Sequence, residues 1–315
     1  MNHSVRNSTA ASGQLAVAIF TDEPGWHGRK LRDALRLRGY DARFESLCRC
    51  GLDLADATPA VQIPAIDGLP AAAFVRGVAG GTLEEIVTRL NVLHGLQLLG
   101  IPVFNDGRAI ERTVDKGLTS FLLRAHEIPT PRTWVFESVT AARAVAEREF
   151  RDGRAIVLKP LFGSQGNGVM QLDTIAAFDQ HVPSTGVYYL QEYIGGGEAD
   201  FRDWRVFVVG GRAVAGMLRR SSHWVTNRAQ GAVCEPIGVD AKLFALAEAA
   251  AAALGVDYGG IDLLRDRDGH WLVSEVNGIP AWQGLQRASG VDITDHVVAA
   301  FVAKIESSRD LAATG

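Results

Sequence analysis

The stretch Gly260-Ile261-Asp262-Leu263-Leu264, read together with Ser274-Glu275-Val276-Asn277, constrains this chain more than any other. Between the two lies Asp268-Gly269, a pair that favours a two-residue type I′ turn joining antiparallel strands. Pairing outward from that turn sets Asp262 opposite Glu275, and period-two alternation puts Asn277 on the same face. Two carboxylates and an amide oxygen then converge. The flanking Ile261, Leu263, Leu264, Leu272, Val273 and Val276 are apolar on both faces, so the hairpin is expected to be buried. Unpaired carboxylates are costly there, and like charges across a sheet repel. Three oxygen donors without His or Cys suit Mg²⁺ or Mn²⁺ shared with a substrate's phosphates better than Zn²⁺. The same spacing also fits two acids that pair with nearby arginines and hold the sheet together.

With 315 residues, 47% of them hydrophobic, the chain can bury a large core and divide into two or three domains. A net charge of -4 and a pI near 6.1 argue against a general nucleic-acid or membrane-surface binder, Arg219-Arg220 being a local basic patch. No apolar run reaches the roughly 18 residues of a membrane span. Met1 to Gly13 is polar, lacks the apolar centre of a signal peptide, and reads as a disordered tail. Three cysteines do not make a disulfide framework, so a reducing cytoplasm is the simpler setting. Cys48 and Cys50 lack the second pair that a four-ligand metal site needs.

A strand from Leu15 to Phe20, a helix from Trp26 to Arg38 stopped by Gly39, and a strand from Asp41 to Leu47 read as the βαβ start of an open α/β domain. Ala73 to Arg76 forms a further strand. Thr82 and Glu85 make a capping box for the helix that follows, and Ile101 to Asn105 closes this region near residue 110. One helix is expected from Ile110 to His126, stopped by Pro129-Thr130-Pro131. After a strand from Thr133 to Glu137 and an Ala-rich helix, the strands Ala155 to Pro160 and Val169 to Leu172 flank a glycine-rich loop. Strands at Val187 to Ile194, Asp203 to Val209 and Ala213 to Arg219 precede a helix from Ala241 to Leu254, capped by Asp240 and stopped by Gly255.

The loop Gly163-Ser164-Gln165-Gly166 is not a Walker A sequence, because its lysine, Lys159, precedes the glycines. Glycines let backbone amides approach a triphosphate closely, and Lys159 brings a compact charge to the same place; a plain glycine-rich turn fits the sequence as well. Lys116 stands in the first turns of a helix, where a solvated lysine is the default. Gln191-Glu192-Tyr193-Ile194 offers backbone donors and acceptors beside an apolar wall, as an adenine ring requires. Asp203, Arg205 and Arg220 matter if their faces meet the metal hairpin, and Asn227 is either a turn residue or part of that group.

In order along the chain, Lys116, Lys159 with its glycine loop, Gln191-Glu192-Tyr193-Ile194, Asp203-x-Arg205, Arg220, Asn227, Gly260-x-Asp262 and Glu275-Val276-Asn277 resemble the ATP-grasp superfamily, and most closely its RimK-type amino-acid ligases. The likeness covers roughly residues 70 to 305 and includes Phe74-Val75-Arg76-Gly77 and Gly290-Val291-Asp292-Ile293. Glu275-Val276-Asn277-Gly278-Ile279-Pro280-Ala281-Trp282-Gln283-Gly284, with Gly80-Gly81-Thr82-Leu83-Glu84, is similar to the branch that adds glutamate to tetrahydromethanopterin-like coenzymes. The resemblance implies an α/β and α+β chain with an ATP-grasp fold. It would have a disordered tail at 1–13, an open α/β pre-ATP-grasp domain at 14–110, a central lid domain at 111–190, a C-terminal domain with an antiparallel sheet at 191–308, and a tail at 309–315.

It further implies ATP bound by Lys116, Lys159, Gly163, Ser164, Gln165, Gly166, Gln191, Glu192, Tyr193, Ile194 and Asp203, the last on the ribose. Asp262, Glu275 and Asn277 would hold two Mg²⁺ (or Mn²⁺), with Arg205, Arg220 and Asn227 at the transferred phosphate. Arg76 and Trp282 would meet substrate, Trp282 either by stacking on an acceptor's aromatic ring or as a packing residue. The implied partners are L-glutamate and a small-molecule, pterin-type acceptor; homo-oligomers are ordinary in that family, and neither nucleic acid nor membrane is involved. A protein C-terminus as acceptor, and a nucleotide-binding regulator without turnover, are the other two readings.

Overall fold

The computed structural model describes residues 13–58, 60–163, 166–195, 201–224 and 233–314. The expected tail at 1–13 lies almost wholly outside them, as do Ser164, Gln165 and Asn227. The chain begins with β1 (Leu15–Phe20), α1 (Gly25–Leu37) and β2 (Tyr40–Glu45), then a small hairpin of β3 (Gly51–Asp53) and β4 (Ala60–Gln62). Next come β5 (Ala72–Val75), α2 (Leu83–Leu98) and β6 (Val103–Phe104). The parallel sheet has the order β2-β1-β5-β6. Its strands are apolar on both faces because helices and a second core cover both sides. The capping box at the start of α2 is present, Thr82 accepting from the Glu85 N–H and Glu85 from that of Thr82.

The single helix expected over 110–126 is two, α3 (Gly107–Val114) and α4 (Lys116–Ala125). The break has a local cause: Asp115 leaves the helical region at ψ 100 and accepts from the Leu118 N–H, so an N-cap sits inside the apolar run. Lys116 thereby becomes the first residue of a new helix.

Then follow β7 (Thr133–Phe136), α5 (Val139–Arg151), β8 (Ile156–Lys159), β9 (Met170–Leu172), α6 (Ile175–Asp179) and β10 (Tyr188–Glu192). They build an antiparallel sheet of order β7-β10-β8-β9, one face of which packs Leu158, Tyr188 and Leu190 on α5 and α6.

The last part holds β11 (Phe201–Val209), β12 (Arg212–Ser221), β13 (Val233–Pro236), α7 (Ala241–Leu254), β14 (Tyr258–Arg265), β15 (Trp271–Asn277), α8 (Gln283–Ser289) and α9 (Ile293–Thr314). The final helix thus runs on to Thr314, past the expected end at 308. The five-stranded antiparallel sheet has the order β13-β12-β11-β14-β15. On one face Val206, Val208, Ile261, Leu263, Val273 and Val276 pack on α7. The opposite face is apolar at one end, where Phe207, Met217 and Tyr258 share a core with α9 and the parallel sheet. At its other end that face is polar, and this division positions the site.

Candidate functional site

Asp262 pairs with Glu275 and Gly260 with Asn277, so the three oxygen donors share one face of β14 and β15. The turn itself differs from expectation. Asp266 N–H donates to His270 O, Gly269 N–H donates to Asp266 O, and Gly269 has φ +86°, which is a three-residue loop with glycine in the left-handed position. That loop alone would move Glu275 to the far face. A bulge at Ser274, between the Asp262–Glu275 and Leu263–Val273 pairs, moves it back.

Beside this hairpin, β11 and β12 bring Asp203, Arg205 and Arg219 to the same face. Arg205 makes two 2.6 Å bonds to the Asp262 carboxylate, Arg219 lies 3.0 Å from it, and Arg219 also grips Asp203 at 2.5 and 2.6 Å. Burial pushes the Asp262 carboxyl up, but Arg205 and Arg219 outweigh it and hold the group below the usual carboxylate range. The arginine-paired arrangement weighed from the sequence is therefore present at Asp262. It does not account for Glu275, which makes no hydrogen bond or ion pair among the described residues.

Arg220, expected at the transferred phosphate, is on the opposite face of β12, paired with Arg202 across the strands and 3.5 Å from Glu235. Arg219, not Arg220, lines the cavity beside Asp262. Trp282 has no exposed surface: its ring meets His27 and Phe207, and its Nε1–H donates to Thr294. It packs the core and leaves no face for an acceptor ring.

Across a cavity of about 200 Å³, the antiparallel sheet of β7 to β10 supplies the facing wall. Lys159 reaches in from the end of β8, and Lys116 from the start of α4. Gly163 and Gly166 line the same space, with φ values of +137° and +71° that suit glycine. The Lys116 ammonium donates to Gly163 O at 2.8 Å, so it also fastens the glycine loop. Burial lowers both lysine pKa values, while the Glu275 charge pulls each back up. Val157, Ile194 and Leu264 give an apolar wall, with Tyr193 against Trp224 at its edge.

Two expected contacts are committed elsewhere. The Glu192 carboxylate is held by Arg132, which in turn grips the buried Glu149; only the Glu192 backbone is left for an adenine edge. The Asp203 carboxylate likewise accepts from Arg219 at both oxygens. Gln191, 2% exposed, accepts from Lys159 at 2.6 Å, and its amide donates to Tyr189 and Thr133; Tyr189 continues to Ser120. Gln191 thus fixes the lysine rather than a base. Gln191→Leu is expected to raise the KM for ATP roughly 10-fold, the cost of unpairing one charged hydrogen bond, and to cost about 1–3 kcal/mol of stability through its lost bonds to Tyr189 and Thr133; initial rates against ATP concentration and thermal melting check it.

Asn105 and Trp224 were not singled out from the sequence, and Arg219 was noted there only as half of the basic pair Arg219-Arg220. Asn105 is wholly buried and its amide donates to Tyr258 O and Gly278 O at 2.7 and 2.6 Å, while its oxygen accepts from the backbone N–H groups of Asp257 and Tyr258. It bolts the end of β6 to β14 and to the residue after Asn277.

The donor set fits a divalent ion. Glu275 has no side-chain partner among the described residues, and Asn277 spends its amide N–H on Gly260 O, which leaves its oxygen to accept or ligate. Lys116, Lys159, Arg205 and Arg219 line the cavity together with Glu192, Asp203, Asp262 and Glu275, so an added divalent ion would tip the balance of charge toward a polyanion. A separate cluster of Asp266, Asp268 and His270 at the hairpin tip is built by the turn, Asp266 accepting from both later N–H groups.

Residues 113–301 match the family described as a RimK-like ATP-grasp domain. The chain belongs to the RimK-like ATP-grasp family. It is 38% identical over 232 residues to the tetrahydromethanopterin:alpha-L-glutamate ligase of Methanococcus maripaludis, covering 72% of this chain and 77% of that one. It is also 32% identical over 227 residues to the alpha-aminoadipate–LysW ligase LysX of Saccharolobus solfataricus, covering 67% and 80%. Among solved structures, the ATP-grasp ligase PsnB complexed with minimal precursor, Mg and ADP superposes with a TM-score of 0.69 at 20% identity, over 92% of this chain and 98% of that one. This last likeness speaks for the ATP-grasp fold. As a RimK-like ATP-grasp protein the chain is an ATP-dependent ligase, and no helix among its described residues is long and apolar enough to cross a membrane.

Proposed function

We propose that this ligase joins L-glutamate to a carboxylate of a small pterin-type coenzyme, with release of ADP and phosphate. The observation that supports it most is the meeting of Asp262, Glu275 and Asn277 with two half-buried lysines and two arginines in one cavity. Bringing a carboxylate to a triphosphate sets anion against anion, and this cavity offsets that repulsion without offering a protein nucleophile. Asp262, Glu275 and Asn277 would hold Mg²⁺, whose charge would offset part of that of the phosphates. Lys116 and Lys159 hold the phosphates. Arg205, poised on Asp262, can turn one edge of its guanidinium to the transferred group.

The carboxylate oxygen forms a bond to the γ-phosphorus as the bond to ADP breaks. The glutamate nitrogen then adds to the acyl carbon, phosphate leaves with the electron pair of the C–O bond, and the nitrogen loses a proton to solvent or phosphate. The glycine loop, pinned by Lys116, can keep water from the acyl phosphate. Support for this donor and acceptor comes from the relative at 38% identity, whose name gives both.

The test is mass spectrometry of a cell-extract metabolite pool incubated with the protein, ATP and glutamate. Gain of one glutamyl residue on a pterin-type compound is expected. Gain on a protein C-terminus moves the acceptor to a polypeptide, and no gain with any amino acid removes the assignment.

The lysines add a pH dependence. Each has its pKa lowered in the nucleotide-free protein, so each loses its proton below the ordinary value of about 10.4. A neutral lysine does not attract phosphate, so ATP affinity should fall as pH rises through the depressed values, and ATP binding should take up protons in that range. Calorimetry of a non-hydrolysable ATP analogue in buffers of different ionisation enthalpy measures this; Lys159→Arg should move the alkaline limb upward.

A further inference from the structure

The parallel sheet carries a second polar feature that the nucleotide cavity does not use. From β1 the chain crosses to β2 on one side and later returns to β5 on the other, so the sheet's switch point lies between β1 and β5. In open α/β sheets ligands bind in the crevice outside the carboxyl ends of the strands at such a point. Arg76, the residue after β5, stands at that end of the sheet. Its backbone N–H and that of Gly77 both donate to Phe20 O, at 2.8 and 3.0 Å, which fixes where its side chain leaves the sheet.

The Arg76 guanidinium lies 5.4 Å from the Trp282 ring centroid, and its Nη1–H donates to Ile279 O at 3.4 Å. Its Nε is buried and has no hydrogen-bond partner, and no carboxylate pairs with the group among the described residues. A shielded cation without a counter-ion is unfavourable, and an incoming anion corrects it. His27 is a neighbour. Its Nε2 accepts from the backbone N–H groups of Trp282 and Gln283, at 3.0 and 3.2 Å, so the ring proton is on Nδ1. Burial, then Arg76, lowers the His27 pKa to about 4, so the ring adds a neutral N–H donor. The first turn of α1, where His27 stands, has no acidic residue and no side-chain cap.

The crevice also adjoins the metal hairpin, because Ile279 is two residues past Asn277. Where a Cβ on Gly260 would sit, Pro280 Cβ is 3.1 Å away and Arg205 Cδ 3.6 Å, so the 278–280 segment runs alongside the phosphate-facing arginine.

We propose that Arg76, with the Nδ1–H of His27, holds the α-carboxylate of the incoming amino acid. This rests on the amino-acid ligase reading above. The nucleotide has four cations of its own, and the acceptor's reacting carboxylate belongs at Arg205. The α-carboxylate of the amino acid is two bonds from the attacking nitrogen, so anchoring it beside the reaction centre orients that nitrogen.

The experiment is calorimetric titration of the protein, loaded with Mg²⁺ and a non-hydrolysable ATP analogue, with L-glutamate, with its α-carboxamide and with glutamine. Wild type should bind the α-carboxamide roughly 10- to 100-fold more weakly than glutamate. Arg76→Leu should bind both equally and weakly, Arg76→Lys should recover part of the preference, and affinity for the ATP analogue should be unchanged in both variants. If Arg76→Leu keeps the preference for the free α-carboxylate, or if the nucleotide affinity falls instead, the proposal is overturned while the ligase reading stands. If wild type binds none of the three, the amino-acid donor reading fails and takes the proposal with it.

Discussion

Glu275→Gln should cut ATP-dependent turnover about 1000-fold while the protein melts at nearly the wild-type temperature, because a metal-bridged charge of several kcal/mol is lost at ~1.4 kcal/mol per decade of rate. The side chain is half-buried and makes no hydrogen bond or ion pair among the described residues, so the fold does not depend on its charge. What does depend on it is the pair of lysines, both of which it holds toward the charged form. Asp262→Asn should be as damaging to turnover but for mixed reasons. It removes the anion that two buried arginines share, and breaking a buried pair costs about 3–5 kcal/mol of stability. Comparing the two variants by initial rates of ADP release and by thermal melting separates chemistry from folding. Turnover of Glu275→Gln within tenfold of wild type would show that the glutamate is not part of the phosphate site.

Asn105→Ala is expected to be the most destabilising single change at a residue with no part in binding, by about 3–5 kcal/mol. Its four hydrogen bonds are buried, and alanine leaves two carbonyls and two N–H groups without partners or water. The effect should also reach the site, since Gly278 follows Asn277 directly. Urea unfolding gives the stability loss, and Mg²⁺ dependence of the rate at low temperature should show a raised metal requirement in the molecules still folded. A midpoint shift worth less than 1 kcal/mol would mean that the two sheets are held together by their other contacts, such as Phe104 stacked on Tyr258 at 5.5 Å and the Tyr258 hydroxyl donating to Val75 O.

Much of the fold was legible because local signals agreed with one another. Asp240 caps α7 and Gly255, at φ +73°, ends it, as their residue types imply. β1 shows its full length in an unbroken apolar run. The break at Asp115 was hidden because apolar spacing continues across it, and only the carboxylate's reach to Leu118 N–H reveals a cap. Bulges were the main obstacle in the site. Two of them shift register by one residue, at Ser274 and at Val214, and each reverses which side chains face the cavity. At Ser274 the bulge cancelled an error of one residue in the turn, so Asp262 and Glu275 still meet. At Val214 nothing cancelled it. Continuous pairing from the Gly210-Gly211 turn would have put Arg220 on the face of Arg205, and the bulge puts Arg219 there instead. The second jobs of Gln191, Glu192 and Asp203 could not be read either, because each depends on a partner from a distant strand or helix.

The ligase chemistry requires divalent-ion binding by Asp262, Glu275 and Asn277 against a nucleotide held by Lys159. Mn²⁺ uptake measured by electron paramagnetic resonance, with and without a non-hydrolysable ATP analogue, addresses this directly. Wild type should take up Mn²⁺ tightly only when the nucleotide is present, and Glu275→Gln and Asn277→Ala should each weaken that uptake at least tenfold. Nucleotide-dependent uptake that is the same in wild type and in both variants would contradict the assignment of the metal site.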